Sequence, residues 1–223
     1  MGRADNLAGV SSRSMTAKGA LSAILGTALL IVLGGNAEAE EPTVEGPPTA
    51  DGPISTARMR RTMHAYFEGE KNEAWAFGAA GIVTVGGGAP LFAASDDLYR
   101  GAAFPLVVVG IVQLAAGIVL LAKTDAIVTD LDRRLDTSKA AFLEVERPRM
   151  QKVRAQFDFL AATELVLMVA GIGLATYGGA RDNHLLTGIG GGLALQSAAM
   201  LAFDAAASTR ADTYSANIEA FAR

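Results

Sequence analysis

The amino-acid sequence predicts an all-α helical membrane protein of two tandem transmembrane hairpins, four spanning helices in all, with amphipathic helical extensions outside the bilayer. Three observations predict it. Hydrophobic residues make up 51% of the 223-residue chain and charged residues only 19%, a bias toward burial in something larger than the chain's own core. Four stretches carry no ionised group, Ala74–Ser95, Gly101–Ala122, Leu165–Ala180 and Asn183–Phe203, of 22, 22, 16 and 21 residues. About 20 helical residues at ~1.5 Å each cross a hydrocarbon layer of ~30 Å. Glycine is the third observation. GAAGIVTVGGG, AGIGLATYGG and GIGGG lie inside these runs, where each glycine would weaken a helix in water by ~1 kcal/mol relative to alanine, whereas in lipid it lets backbones approach closely. A water-soluble bundle of the same sequence would expose large apolar patches.

At the N-terminus, Lys18 precedes the apolar stretch Ala20–Leu33, and Ala37 and Ala39 in GGNAEAE match the small-x-small pattern of a signal-peptidase site. Residues 1–39 are therefore expected to be a signal peptide, with Met15 a better-proportioned start than Met1. Residues 40–53, EEPTVEGPPTADGP, hold four prolines, two glycines and four acids. They can neither bury apolar surface nor hold a helix, and are expected to be a disordered acidic linker.

A first helical-hairpin repeat is expected over 54–135. Met59, Met63 and Phe67 recur every four residues with Arg58, Arg60 and Arg61 on other faces, an amphipathic lead-in that Ser55 or Thr56 can cap. Past the second uncharged run, Val128, Leu131, Leu135, Phe142 and Val145 keep a 3,4 spacing that reads as a coiled-coil-like stalk, with Ser138 filling the gap and Pro148 ending the pattern. The second repeat is expected over 136–223. Phe67, Gly81 and Ile82 align with Phe157, Gly171 and Ile172, and Gln113, Ala115 and Ala116 align with Gln196, Ala198 and Ala199. Two-crossing units of this kind share one orientation. Their extensions either form a bundle continuous with the membrane bundle or lie on the headgroups.

Few polar groups are placed where they could carry function. Gln113 and Gln196 each fall near the middle of an uncharged run, where an unpaired amide costs several kcal/mol. They are expected to bond each other or backbone carbonyls, or else to line a polar path. Glu164 is the one carboxylate expected inside the bilayer. Helix packing is expected at small residues: Gly188 and Gly192 form a GxxxG, Gly171, Ala175 and Gly179 a small-xxx-small stripe, and Ala198 belongs to another.

Catalytic constellations are missing from the pattern. No HExxH, GxSxG or GxxxxGK[ST] occurs, and there is no cysteine. His64 sits one turn from Glu68 as an ordinary helix pair, His184 starts a helix beside Asp182, and Asp96 and Asp97 suit turn and capping chemistry. No metal and no cofactor are expected. A net charge of −4 with interleaved basic residues argues against a nucleic-acid partner.

The expectation is thus a non-enzymatic structural or interaction protein of the bacterial envelope, in contact with the lipid bilayer and docking a protein partner or copies of itself. The alternative is a small channel or transporter subunit with its path near Gln113, Gln196 and Glu164. A cleaved signal would put the termini and stalk helices on the periplasmic side of the inner membrane, although basic residues on the stalk side favour the opposite orientation.

Overall fold

The computed structural model describes residues 54–223, so the expected signal peptide (1–39) and acidic linker (40–53) lie outside the described residues. Four long helices follow in order: α1 (Thr56–Gly88), α2 (Asp97–Thr137), α3 (Lys139–Ala180) and α4 (His184–Ala222), with a short 3₁₀ turn at Ala89–Ala93. The described residues contain no strand. Capping sets the starts. Ser55 accepts from the Arg58 amide, Asp96 from Leu98 and Asn183 from Leu186, each supplying a partner to a helix-start N–H that would otherwise have none.

The helix break lies at Ser138 rather than at Pro148, where the stalk pattern ends. Ser138 is extended (φ −172°, ψ 156°), its amide donates to Arg134 O at the end of α2, and its hydroxyl caps α3 through the Ala141 amide. α3 then runs straight through Pro148. The reason is packing: Phe142, Glu146 and Met150 bracket the proline on one fully buried face, and that burial outweighs the ~3 kcal/mol a proline costs a helix interior.

α1 packs along α2 and α3 along α4, and the two hairpins join mainly through α2 and α4. Two kinds of packing share the length of these helices. Outside the uncharged runs, Met59, Met63 and Phe67 of α1, Leu131 and Leu135 of α2, Phe142 and Met150 of α3, and Tyr214, Ile218 and Phe221 of α4 converge in one core. The extensions therefore form a four-helix bundle. Ion pairs rim it, joining Arg60 and His64 to Asp132, Arg147 to Glu219 and Arg154 to Asp212. His64 thus pairs across the α1–α2 interface and not with Glu68, because α2 brings Asp132 within 3.0 Å.

Inside the uncharged runs the core shrinks to a small cluster of Leu91, Ala103 and Leu106 with Tyr99 at the α1–α2 turn, and elsewhere glycine takes its place. A Cβ at Gly171 would lie 2.6 Å from Ala194 N, one at Gly117 2.7 Å from Ala74 O, and one at Gly192 2.7 Å from the Pro105 ring. At Gly188 and Gly101, α4 and α2 touch backbone to backbone. Large apolar side chains point outward instead: Val166 is 66% exposed and Trp75 68%. All four helices are long and apolar enough to cross a membrane, and their apolar windows are only 11 to 28% covered by protein. Lipid must cover the remainder, since water would leave that surface uncompensated. The chain is an all-α membrane protein of two tandem hairpins.

The packing residues divide accordingly. Gly171, Ala175, Gly188 and Gly192 lie in helix contacts, Ala175 meeting Gly190. Gly179 has open space beside it, the contact with Thr187 being made by Gly178, and Ala198 is exposed.

A matched pair of substitutions separates these roles. Gly188→Ala forces α2 and α4 apart and is expected to lower stability by ~1–3 kcal/mol through overpacking. Gly179→Ala is expected to leave stability unchanged or raise it by up to ~1 kcal/mol. Thermal unfolding of both variants in one detergent provides the comparison. At the α3–α4 turn, Asp182 adopts φ 52°, and Asp182→Gly is expected to raise the unfolding midpoint, by about 1 kcal/mol in stability, by removing left-handed strain.

Candidate functional site: a groove where the two packings meet

Where the membrane segments give way to the stalk bundle, α1 and α3 stand apart and a cavity of about 460 Å³ opens between the four helices. Its size falls in the ~300–1,000 Å³ range of small-molecule sites. Phe77, Ala116, Leu120, Leu160 and Phe203 form apolar walls, and Phe77 meets Phe203 edge to face with centroids 5.7 Å apart. Toward the stalk the lining becomes charged, with Glu70, Glu73, Arg149 and Arg210.

The charged end is built from neutralised pairs. Arg210 pairs with Glu73. Gly69 on α1 leaves the room its guanidinium occupies, since a Cβ there would meet the Arg210 side chain at 2.8 Å. Arg149 donates two hydrogen bonds of 2.6 Å to Glu146, which is fully buried. The guanidinium lies 4.9 Å from the Phe67 ring centroid and 5.8 Å from that of Tyr66, a cation–π arrangement. Tyr66 in turn stacks on Tyr214 at 4.4 Å. These rings and the Arg149–Glu146 pair close the stalk end of the groove.

Burial governs the electrostatics here. The Tyr66 hydroxyl is pushed above the usual tyrosine range by burial and then by the Glu70 carboxylate, and that of Tyr214 by burial and then by Glu146. Burial pulls Arg149 down, but the hydrogen bonds and charge of Glu146, with Tyr66 and Tyr214, outweigh it and hold the guanidinium above its ordinary value. It is a permanent cation with its charge already spent on Glu146. Thr124 likewise donates to Glu70 at 3.2 Å.

A second polar group lies beside the groove on the membrane side. Gln113 is 1% exposed; its amide nitrogen donates to Met200 Sδ at 3.3 Å, and its Oε1 has no partner. The two glutamines do not bond each other. Backbone contact at Gly101 and Gly188 sets the register of α2 against α4, and the same 87-residue interval puts Met200, not Gln196, opposite Gln113. Gln196 is buried one turn away on α4. Glu164 is 5% exposed with neither oxygen hydrogen-bonded. It does not reach Arg154, which Asp212 engages. Its neighbour is another acid, Asp204, whose Oδ2 also lacks a partner and which lines the groove together with Met200.

The remaining candidates are structural. Asp96 caps α2 and Asp97 pairs with Arg100, while His184 opens α4. Asp204 and Glu146 are not singled out by the sequence. Asp204 directly follows an uncharged run and reads as its boundary. Glu146 could have been found, since it occupies an apolar position of the stripe Phe142, Glu146, Met150. No protein-family model matches this chain, and neither a curated protein nor a solved structure shows similarity to it.

Two expected outcomes follow from the closed end. Glu146→Gln leaves Arg149 buried without its counter-charge and is expected to cost ~3–5 kcal/mol, most of which the double change Glu146→Leu, Arg149→Met restores; chemical denaturation in detergent reads both. Because Tyr66 and Tyr214 titrate higher when folded than unfolded, their stabilisation is complete below about pH 10 and falls above it, by about 1.4 kcal/mol per pH unit for each. Alkaline unfolding should coincide with phenolate absorbance, and Tyr66→Phe with Tyr214→Phe should shift it to higher pH.

Proposed function

We propose that this chain is a non-enzymatic interaction protein of the bacterial envelope that binds an amphiphile from the surrounding bilayer in the groove between its four helices. The observation that carries this reading is the cavity itself, with apolar walls toward the membrane segments and a charged lining toward the stalk. Such a gradient matches a molecule with an apolar body and a polar head. The neutralised pairs at the closed end support binding over chemistry. Arg149 and Arg210 are each engaged by a carboxylate, which positions them as walls rather than as groups free to move protons. The signal-peptide pattern before residue 40 supports an inner-membrane location with the stalk bundle on the periplasmic side.

The test is photo-labelling in proteoliposomes with an uncharged alkyl amphiphile bearing a diazirine in its chain. Labelling is expected on groove residues of α1, α2 and α4. Ala116→Trp fills the groove from an exposed position, so it is expected to abolish the labelling without unfolding the protein. Uniform labelling of all outward faces, unchanged by Ala116→Trp, would remove the proposal.

A second reading, a small channel or transporter subunit, is favoured by the unpartnered Gln113 Oε1 and Glu164 carboxylate beside the groove. On that reading, reconstituted protein supports ion or solute flux that is lost when Gln113→Leu is combined with Gln196→Leu, and reduced by Glu164→Gln. Flux at the level of protein-free liposomes excludes it.

A further inference from the structure

We infer that the groove selects amphiphiles with a cationic head, held by Asp204 and Glu164; the inference rests on the groove being a binding site. The charges around the cavity carry it. Arg149 is matched by Glu146 and Arg210 by Glu73, and Glu70 accepts from Thr124. Asp204, by contrast, lines the cavity and meets no cation; beside it Glu164, just outside the lining, is more than nine-tenths buried and has no polar neighbour other than this second carboxyl group. Two adjacent carboxyl groups with no cation in ion-pair distance, at the edge of a lipid-covered bundle, leave their negative charge uncompensated, and unpaired acids at such depth are costly.

A soluble ion would not use the rest of the site. The cavity that Asp204 lines also has Phe77, Met200, Phe203 and Leu160 in its walls, which favour a cation carrying apolar substituents. The aromatic rings stabilise diffuse positive charge through their faces, and the thioether of Met200 adds a polarisable contact. Lys123 lies at the rim, exposed, so the deep part of the groove remains negative. The substrate class is therefore a lipophilic organic cation, of quaternary ammonium or phosphonium type. A lipid phosphate would meet Asp204 and Glu164 as like charges and is disfavoured.

Tetraphenylphosphonium and tetraphenylborate, of near-identical shape and opposite charge, separate the contributions of shape and charge. Equilibrium binding of each is measured to the full chain in nanodiscs of zwitterionic lipid, with empty nanodiscs as background. Saturable binding of the phosphonium with none of the borate is expected. Asp204→Asn and Glu164→Gln should each weaken phosphonium binding about tenfold or more while keeping the wild-type thermal transition. Equal or tighter binding of the borate, or undiminished phosphonium binding in both carboxamide variants, overturns the cation inference and leaves the groove reading in place. Phosphonium binding that survives Ala116→Trp overturns the assignment to this site. Loss of the uncharged probe's labelling pattern, measured in parallel, would show instead that the groove reading itself has failed.

Discussion

Backbone-to-backbone contact at glycine is the constraint on which the rest of this structure depends. Lipid tails are as apolar as leucine, so the membrane segments cannot rely on expelling water to hold them together. They approach closely enough for dispersion and polar backbone contacts to act, and this requires positions with no side chain. Gly81 and Gly117 seat α1 on α2, Gly171 and Gly190 seat α3 on α4, and Gly101 and Gly188 lock the two hairpins together. Because these contacts tolerate no sliding, they also set which polar residues meet. Met200 opposite Gln113, and Asp204 beside Glu164, are consequences of glycine register.

The same helices obey a different rule once they leave the uncharged runs. There water is present, and large side chains turn inward: Phe67, Phe142, Tyr214 and Phe221 form an aromatic-rich core stabilised by burial of apolar area. Apart from the buried Arg149–Glu146 pair, charged residues lie toward the outside, several pairing across helices, each exposed pair adding at most ~1 kcal/mol. Small residues inside the membrane part draw the helices into pairs, and large ones in the stalk hold all four around a centre. At the transition neither rule fills the space between α1 and α3, and the groove lies there. The site is thus a by-product of two packing regimes on continuous helices.

That origin accounts for the mixed chemistry of the lining. The stalk contributes Arg149, Tyr66 and Arg210, already satisfied by Glu146, ring stacking and Glu73. The membrane segments contribute Phe77, Ala116 and Leu160. Asp204 and Glu164 sit between, and neither forms an ion pair with the stalk cations, which Glu146 and Glu73 already engage.

The sequence alone determined the solvent and the number of helices, because run length and the absence of charge are one-dimensional properties matched to bilayer thickness. It also determined the chain faces: Met59, Met63 and Phe67 lie inside as their spacing requires, and Gly188 and Gly192 lie in a helix contact. Helix ends were less legible, since Ser138 and Pro148 are both plausible breaks locally and only the burial of Phe142, Glu146 and Met150 decides between them. What belonged entirely to the tertiary structure was register. Equivalence in a repeat aligns Gln113 with Gln196, but helices pack by the depth at which small residues interlock, and that depth places Met200 there instead. The pairing of Asp204 with Glu164, and the groove they flank, depend on the same three-dimensional offset, which no spacing along the chain encodes.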